Sequence, residues 1–158
     1  MPRYIEKQPH KASCGPVAVI NALKWLGKPA TYRTHLKKCK KLGYPTNPAG
    51  TSRRLLSRFL RYFKIKYKRV TRPTLNDITK ELDKGNAIIL LYRTYSESGS
   101  WGHYTFINGY NDWGFKSKNA LVPKFRPIIA DFFRWSKRAK TDGWNKVPTM
   151  WVIYKGKK

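Results

Sequence analysis

Hydrophobic and polar positions change rhythm along the chain. From Cys14 to Leu26 the run CGPVAVINALKWL carries one charge, Lys24, and is apolar on nearly every side. Such a segment predicts a helix buried centrally rather than one half-exposed. Pro16 suits its first turn and Gly27 its end. In residues 31–42, TYRTHLKKCKKL, the apolar positions Tyr32, Leu36 and Cys39 recur at i, i+4 and i+7, predicting a second helix with a lysine-rich outer face. A third helix follows in GTSRRLLSRFLRYF, where Leu56, Leu60 and Phe63 form one stripe and Arg54, Arg58 and Arg61 another.

The period then shortens. In KIKYKRV, Ile65 and Tyr67 alternate with Lys64, Lys66 and Lys68, the pattern of a half-buried strand. Thr74, with Asp77 three residues later, opens a short helix through TLNDITKELDKG, which Gly85 stops. NAIILLYRTY and HYTFINGY are β-rich runs separated by the turn-like SESGSWG. GFKSKNALV predicts another strand, DFFRWSKRA a short helix and TMWVIY a closing strand. Helices come first and strands later, which argues for an α+β fold, and 158 residues without a linker or repeat argue for one domain.

Charge changes the picture more than composition does. Thirty-four Lys and Arg stand against eight Asp and Glu, a formal net charge of +26, and residues 7–76 hold no acid at all. That excess goes well beyond what solubility requires and implies a polyanionic partner. Nine of the twenty residues from 53 to 72 are basic, with Tyr62, Phe63 and Tyr67 among them. Arg54, Arg58, Arg61, Lys64, Lys66 and Lys68 are the candidate contacts to nucleic acid or another polyanion, through phosphate and without base specificity. Two cysteines, with no Cys/His pairs at ligand spacing, make neither a disulfide scaffold nor a zinc site, and they fit a reducing, cytoplasmic setting. No apolar run is long enough to enter or span a membrane.

A free Cys is most often a small buried hydrophobe, and Cys39, sharing a stripe with Tyr32 and Leu36, fits that reading. Cys14 opens a helix, where backbone N–H groups and the helix dipole favour a thiolate, and a nearby imidazolium would favour it further. Of three histidines, His35 lies among solvated lysines and His10 in a loop. His103 begins a strand after a Gly-containing turn, a place from which a scaffold offers side chains to a cleft. A third polar group must orient the imidazole and a donor must hold the oxyanion; Asn119 and Gln8 are the candidates.

Gln8 standing six positions before Cys14 resembles the oxyanion glutamine and nucleophile of papain-like cysteine peptidases. CGPVAVINALKWLG, followed by ITKELDKGNAIILLYR and GHYTFINGYND, is most similar to the branch that removes double-glycine leaders from bacteriocins. That branch places its Asp or Asn about sixteen residues after the His, which falls on Asn119, with Asp112 as the alternative. The resemblance implies a papain-like fold, with the nucleophile heading a central helix packed on an antiparallel sheet. It implies Cys14 as nucleophile, His103 as base, Asn119 as orienting residue and Gln8 as oxyanion donor, with no metal or organic cofactor. The substrate is a peptide or protein, and the positive field favours an acidic one. Deamidation, isopeptide cleavage and acyl transfer use the same constellation. A basic, nucleic-acid-associated structural protein with a peptidase-like fold, packaged in a virus or phage particle, is the second expectation.

Overall fold

The computed structural model describes residues 3–9, 12–45, 50–96, 99–111, 114–118 and 148–156. Helices α1 (Cys14–Trp25), α2 (Tyr32–Lys41) and α3 (Arg53–Tyr62) precede strand β1 (Tyr67–Thr71) and helix α4 (Leu75–Asp83). Strands β2 (Ala87–Ser96), β3 (Gly99–Asn111), β4 (Gly114–Lys118) and β5 (Thr149–Ile153) complete the order. The five strands form one sheet, β1-β5-β2-β3-β4, in which every neighbouring pair is antiparallel. The expected α+β class is thus present, with β1 placed ahead of α4.

Alternation along the strands divides the core in two. Ile89, Tyr104, Phe106, Trp151 and Ile153 face the side on which α1, α2 and α3 pack; Ile88, Leu90, Tyr92, Ile107, Met150 and Val152 face Ile78 of α4. The layer of α1 is why its sequence is apolar all round: it lies on β3 and carries α2 and α3 on its own flanks. Every residue from Cys14 to Leu23 is buried, including one polar side chain, Asn21. Both ends of its amide are bound: Oδ1 accepts from the Ile5 N–H at 2.8 Å and Nδ2 donates to the Ile5 carbonyl at 3.1 Å. This clamp fixes the segment 3–9 along α1. A second buried polar pair, Trp151 Nε1 donating to Ser57 Oγ at 2.9 Å, ties α3 to the centre of the sheet.

The helix starts follow their caps. Ser52 Oγ accepts from Leu55 N–H, and Thr74 with Asp77 makes the reciprocal capping box expected from their spacing. Two strand boundaries differ from the sequence expectation. KIKYKRV becomes a strand only at Tyr67, because Lys64 takes a left-handed φ of 57° and closes α3 in a Schellman turn. Lys64 N–H bonds the Arg61 carbonyl and Ile65 N–H the Leu60 carbonyl, so Ile65 is buried as part of a helix stop. At SESGSWG the expected turn shrinks, since β2 and β3 stay paired through Tyr95↔Ser100 to Ser96↔Gly99. A long antiparallel ladder overrides the weak preferences of Ser and Gly there. The expected helix DFFRWSKRA and the end of GFKSKNALV lie outside the described residues.

Cys39 is buried on α2, and burial pushes its thiol up to about 12 from an ordinary 9.0. The folded state therefore holds this proton more tightly than the unfolded chain. The stability it contributes is intact below about pH 9 and is lost as pH rises toward about 12, at about 1.4 kcal/mol per pH unit. Urea unfolding between pH 9 and pH 10.5 should show Cys39→Ala losing stability with a shallower slope than the wild type. Equal slopes would contradict this assignment.

Candidate active site

Ser13 occupies the N-cap of α1 without a side-chain cap bond, and the first turn holds no acid. First-turn N–H groups therefore face the Cys14 thiol, and those of Cys14 and Gly15 favour its ionised form. A third such donor arrives from the sheet: the backbone N–H of Tyr104 on β3, the residue after His103. The thiol is nevertheless only 7% exposed. Burial, the largest influence, outweighs these three donors and raises its pKa above 9.0. The donors expected from helix position are thus present, and burial works against the thiolate they favour. The resting group is a thiol, surrounded by donors that stabilise a thiolate once one forms.

Three phenols line this region. Tyr44, Tyr92 and Tyr104 are buried, and each holds its proton above the usual Tyr value, chiefly through burial and further through the nearby Cys14 charge. His103 is also buried, at 1% exposure, and meets Tyr92 edge-on with ring centroids 5.7 Å apart and planes at 89°. The two are register partners across β2 and β3. Tyr92 thus touches His103 and feels the charge of Cys14, while Tyr104 meets Cys14 through its backbone.

A strap crosses the first turn of α1. A Cβ placed on Gly15 would stand 2.4 Å from Thr51 Oγ1 and 2.6 Å from Thr51 Cβ, so glycine is what allows the approach. The Thr51 carbonyl accepts from the Tyr104 hydroxyl at 3.0 Å, which anchors the strap to the strand that carries His103. Thr51 Oγ1 is buried without a hydrogen-bond partner.

The other sequence-derived positions fall as follows. Gln8 is half-buried in the segment fixed by Asn21. Asn119, Asp112 and His10 lie outside the described residues. His35, expected to be solvated, is half-buried, with its ring 5.3 Å from that of Phe63, and burial lowers its pKa. Arg54, Arg58, Arg61, Lys64, Lys66 and Lys68 are all exposed, on the outer face of α3 and the adjoining edge of the sheet. Tyr62 is 51% exposed beside them, whereas Phe63 is packed against the core and Tyr67 accepts a hydrogen bond from Arg61 at 3.0 Å. The ion pairs among the described residues, Lys84–Glu81 and Lys118–Glu6, involve none of the six. Among the described residues no three His, Cys, Asp or Glu side chains come together as a metal site, and no helix is long and apolar enough to cross a membrane. The residues that sequence reasoning missed are Tyr92, Tyr104 and Thr51. Tyr104 had a signal in its place directly after His103; Thr51 had none, because its role depends on Gly15.

A sequence profile of the Peptidase C39-like family matches residues 3–151. The chain belongs to that family. It is therefore a cysteine peptidase by descent, and Cys14 and His103 lie within the matched span. Solved structures of similar fold include a protein described as a C39-like peptidase from Bacillus anthracis, 12% identical, with a TM-score of 0.59 over 98% of this chain and 96% of that one. The peptidase domain of Streptococcus ComA, a bi-functional ABC transporter of a quorum-sensing pathway, is 14% identical, with a TM-score of 0.58 over 96% of this chain and 98% of that one. A double-glycine-motif protease from an AMS/PCAT transporter, solved with its leader peptide, is 12% identical, with a TM-score of 0.59 over 98% and 93% of the two chains. At these identities the likeness speaks for the fold. No curated protein matches the chain.

The Gly15–Thr51 contact gives a stability test of the C39-like site. Gly15→Ala forces Thr51 away and strains its bond to Tyr104, which should cost about 1–3 kcal/mol in urea unfolding. Adding Thr51→Gly should recover part of that loss; no recovery would show that the strap is not what the new methyl meets.

Proposed function

We propose that this C39-like chain acts as one peptidase domain that hydrolyses peptide or isopeptide bonds through Cys14, His103 and Asn119, with Gln8 as oxyanion donor. The observation that supports the reading is the backbone hydrogen bond to the Cys14 thiol from Tyr104, the residue that follows His103 in β3. At rest both side chains are buried and the thiol keeps its proton. As a substrate carbonyl approaches, His103 takes the thiol proton and the sulfur attacks the carbonyl carbon. Gln8 and the Cys14 N–H bind the developing oxyanion. The carbon–nitrogen bond then breaks, and His103 gives its proton to the leaving amine. Water, activated by the neutral His103, hydrolyses the thioester. Asn119 holds the imidazole in the orientation both steps require.

The test is cleavage of a pool of peptides, read by mass spectrometry as new termini. Cys14→Ser and His103→Ala should each abolish them, while Gln8→Ala and Asn119→Ala should lower the rate by about 10²–10³. Asp112→Ala acts as the control for the orienting role: if its loss is large and that of Asn119→Ala is negligible, the two assignments exchange. New termini that persist in Cys14→Ser would end the proposal.

The six exposed basic residues support a second element of the reading, in which the peptidase is held on nucleic acid or another polyanion in the cytoplasm or within a virus or phage particle. A basic structural protein that keeps a peptidase fold without activity is the competing reading, and the burial of Cys14 at 7% exposure favours it. Affinity for nonspecific DNA, measured against salt, should fall steeply, and Arg54→Gln with Arg58→Gln and Arg61→Gln should flatten the dependence by about two to three phosphate contacts. A flat salt dependence in the wild type would remove the polyanion from the proposal.

A further inference from the structure

The sheet ends in an open edge at β1. Among the described residues β5 is the single strand beside it. The phase of that ladder follows from two bonds at its ends: Tyr154 N–H donates to the Lys66 carbonyl at 3.1 Å, and Arg72 N–H to the Pro148 carbonyl at 2.8 Å. Bonded and non-bonded pairs alternate along an antiparallel ladder, so residues 68 and 70 are bonded to β5 as well. Tyr67, Arg69 and Thr71 occupy the non-bonded pairs, opposite Ile153, Trp151 and Thr149. Their N–H and C=O groups point away from β5, and among the described residues no further strand or turn bonds them.

Charge decides what can lie along this edge. Lys66, Lys68, Arg69 and Arg72 are exposed, and no acid occurs from residue 7 to residue 76. The ion pairs among the described residues, Lys84–Glu81 and Lys118–Glu6, use none of the four. Lys66 and Lys68 share the face of Val70, on the α4 side of the sheet, while Arg69 lies on the other face over Trp151. A second copy of β1 is a poor match, because antiparallel pairing would set lysines and arginines opposite one another. A strand with acids at every second position meets Lys66 and Lys68 together on one face. Nucleic acid would meet the side chains alone, since it has no row of donors and acceptors at strand spacing.

We propose that the β1 edge binds an extended acidic segment of a partner protein, added antiparallel to the sheet like every pair already in it. The segment bonds the outward backbone groups of Tyr67, Arg69 and Thr71, and its carboxylates meet Lys66 and Lys68. This surface goes beyond the peptidase reading and does not rest on it.

The probe is an acetylated and amidated peptide of about nine residues that alternates Glu with Thr, titrated by calorimetry at low salt. It should bind at least about tenfold more tightly than its Gln counterpart. Lys68→Gln should weaken it about threefold to fivefold, and Lys37→Gln, on the exposed face of α2, should leave it unchanged. Two further forms separate strand addition from charge alone, one with N-methyl groups on its Glu residues and the other on its Thr residues. Glu opposite Lys66 and Lys68 turns its N–H away from β1, whereas the Thr residues between turn theirs toward it. Methylation at Thr should therefore cost at least about tenfold, and methylation at Glu less than about twofold. Any other pattern overturns the strand addition, including equal binding by the two forms, which is what nucleic-acid-like contact with the side chains alone would give. A Glu peptide that binds no more tightly than the Gln peptide overturns the acidic partner as well.

Discussion

The contact between the first turn of α1 and strand β3 at Tyr104 is the constraint on which the site depends. A helix apolar on all sides has no preferred outer face, so it must be covered on every side, and the sheet, α2 and α3 cover it. Once it lies there, its N-terminal N–H groups cannot be left without partners in an apolar interior. The thiol of Cys14 takes up part of that demand together with the Tyr104 N–H. The residue preceding Tyr104, His103, is carried to the sheet's other face, where it meets its register partner Tyr92. Burial thus gathers backbone donors around the thiol and at the same time disfavours its charge.

That tension explains why the thiol is protonated at rest. Desolvation penalises a lone thiolate more than three backbone donors reward it. The His103 ring is buried in turn, edge-on to Tyr92, in a place from which water is largely excluded. Tyr104 works at two points, its N–H toward sulfur and its hydroxyl toward the Thr51 carbonyl. A change in the strap is therefore transmitted to the strand that holds His103.

The basic residues divide by role. Those on the outer stripe of α3 and the edge strand face solvent as a broad field, suited to a diffuse polyanion. Arg69 of the edge strand instead lies over the buried Trp151 ring, 5.7 Å from its centroid. It comes from the same acid-free stretch as the others.

Much of the architecture was legible in the chain. The all-round apolar run gave α1, the β-rich run NAIILLYRTY gave β2, and Thr74 with Asp77 marked the start of α4, because each depends on neighbours a few residues away. The order of Gln8, Cys14 and His103 also pointed to the family, since spacing in a shared fold is inherited. Thr51 over Gly15, the Tyr104 hydroxyl on the Thr51 carbonyl and Arg69 over Trp151 are long-range contacts between separate elements, and no local pattern encodes them. The sequence alone also put a thiolate at the helix start, as local dipoles favour. Only the tertiary structure showed the thiol buried, where the cost of desolvation exceeds the gain from the backbone donors.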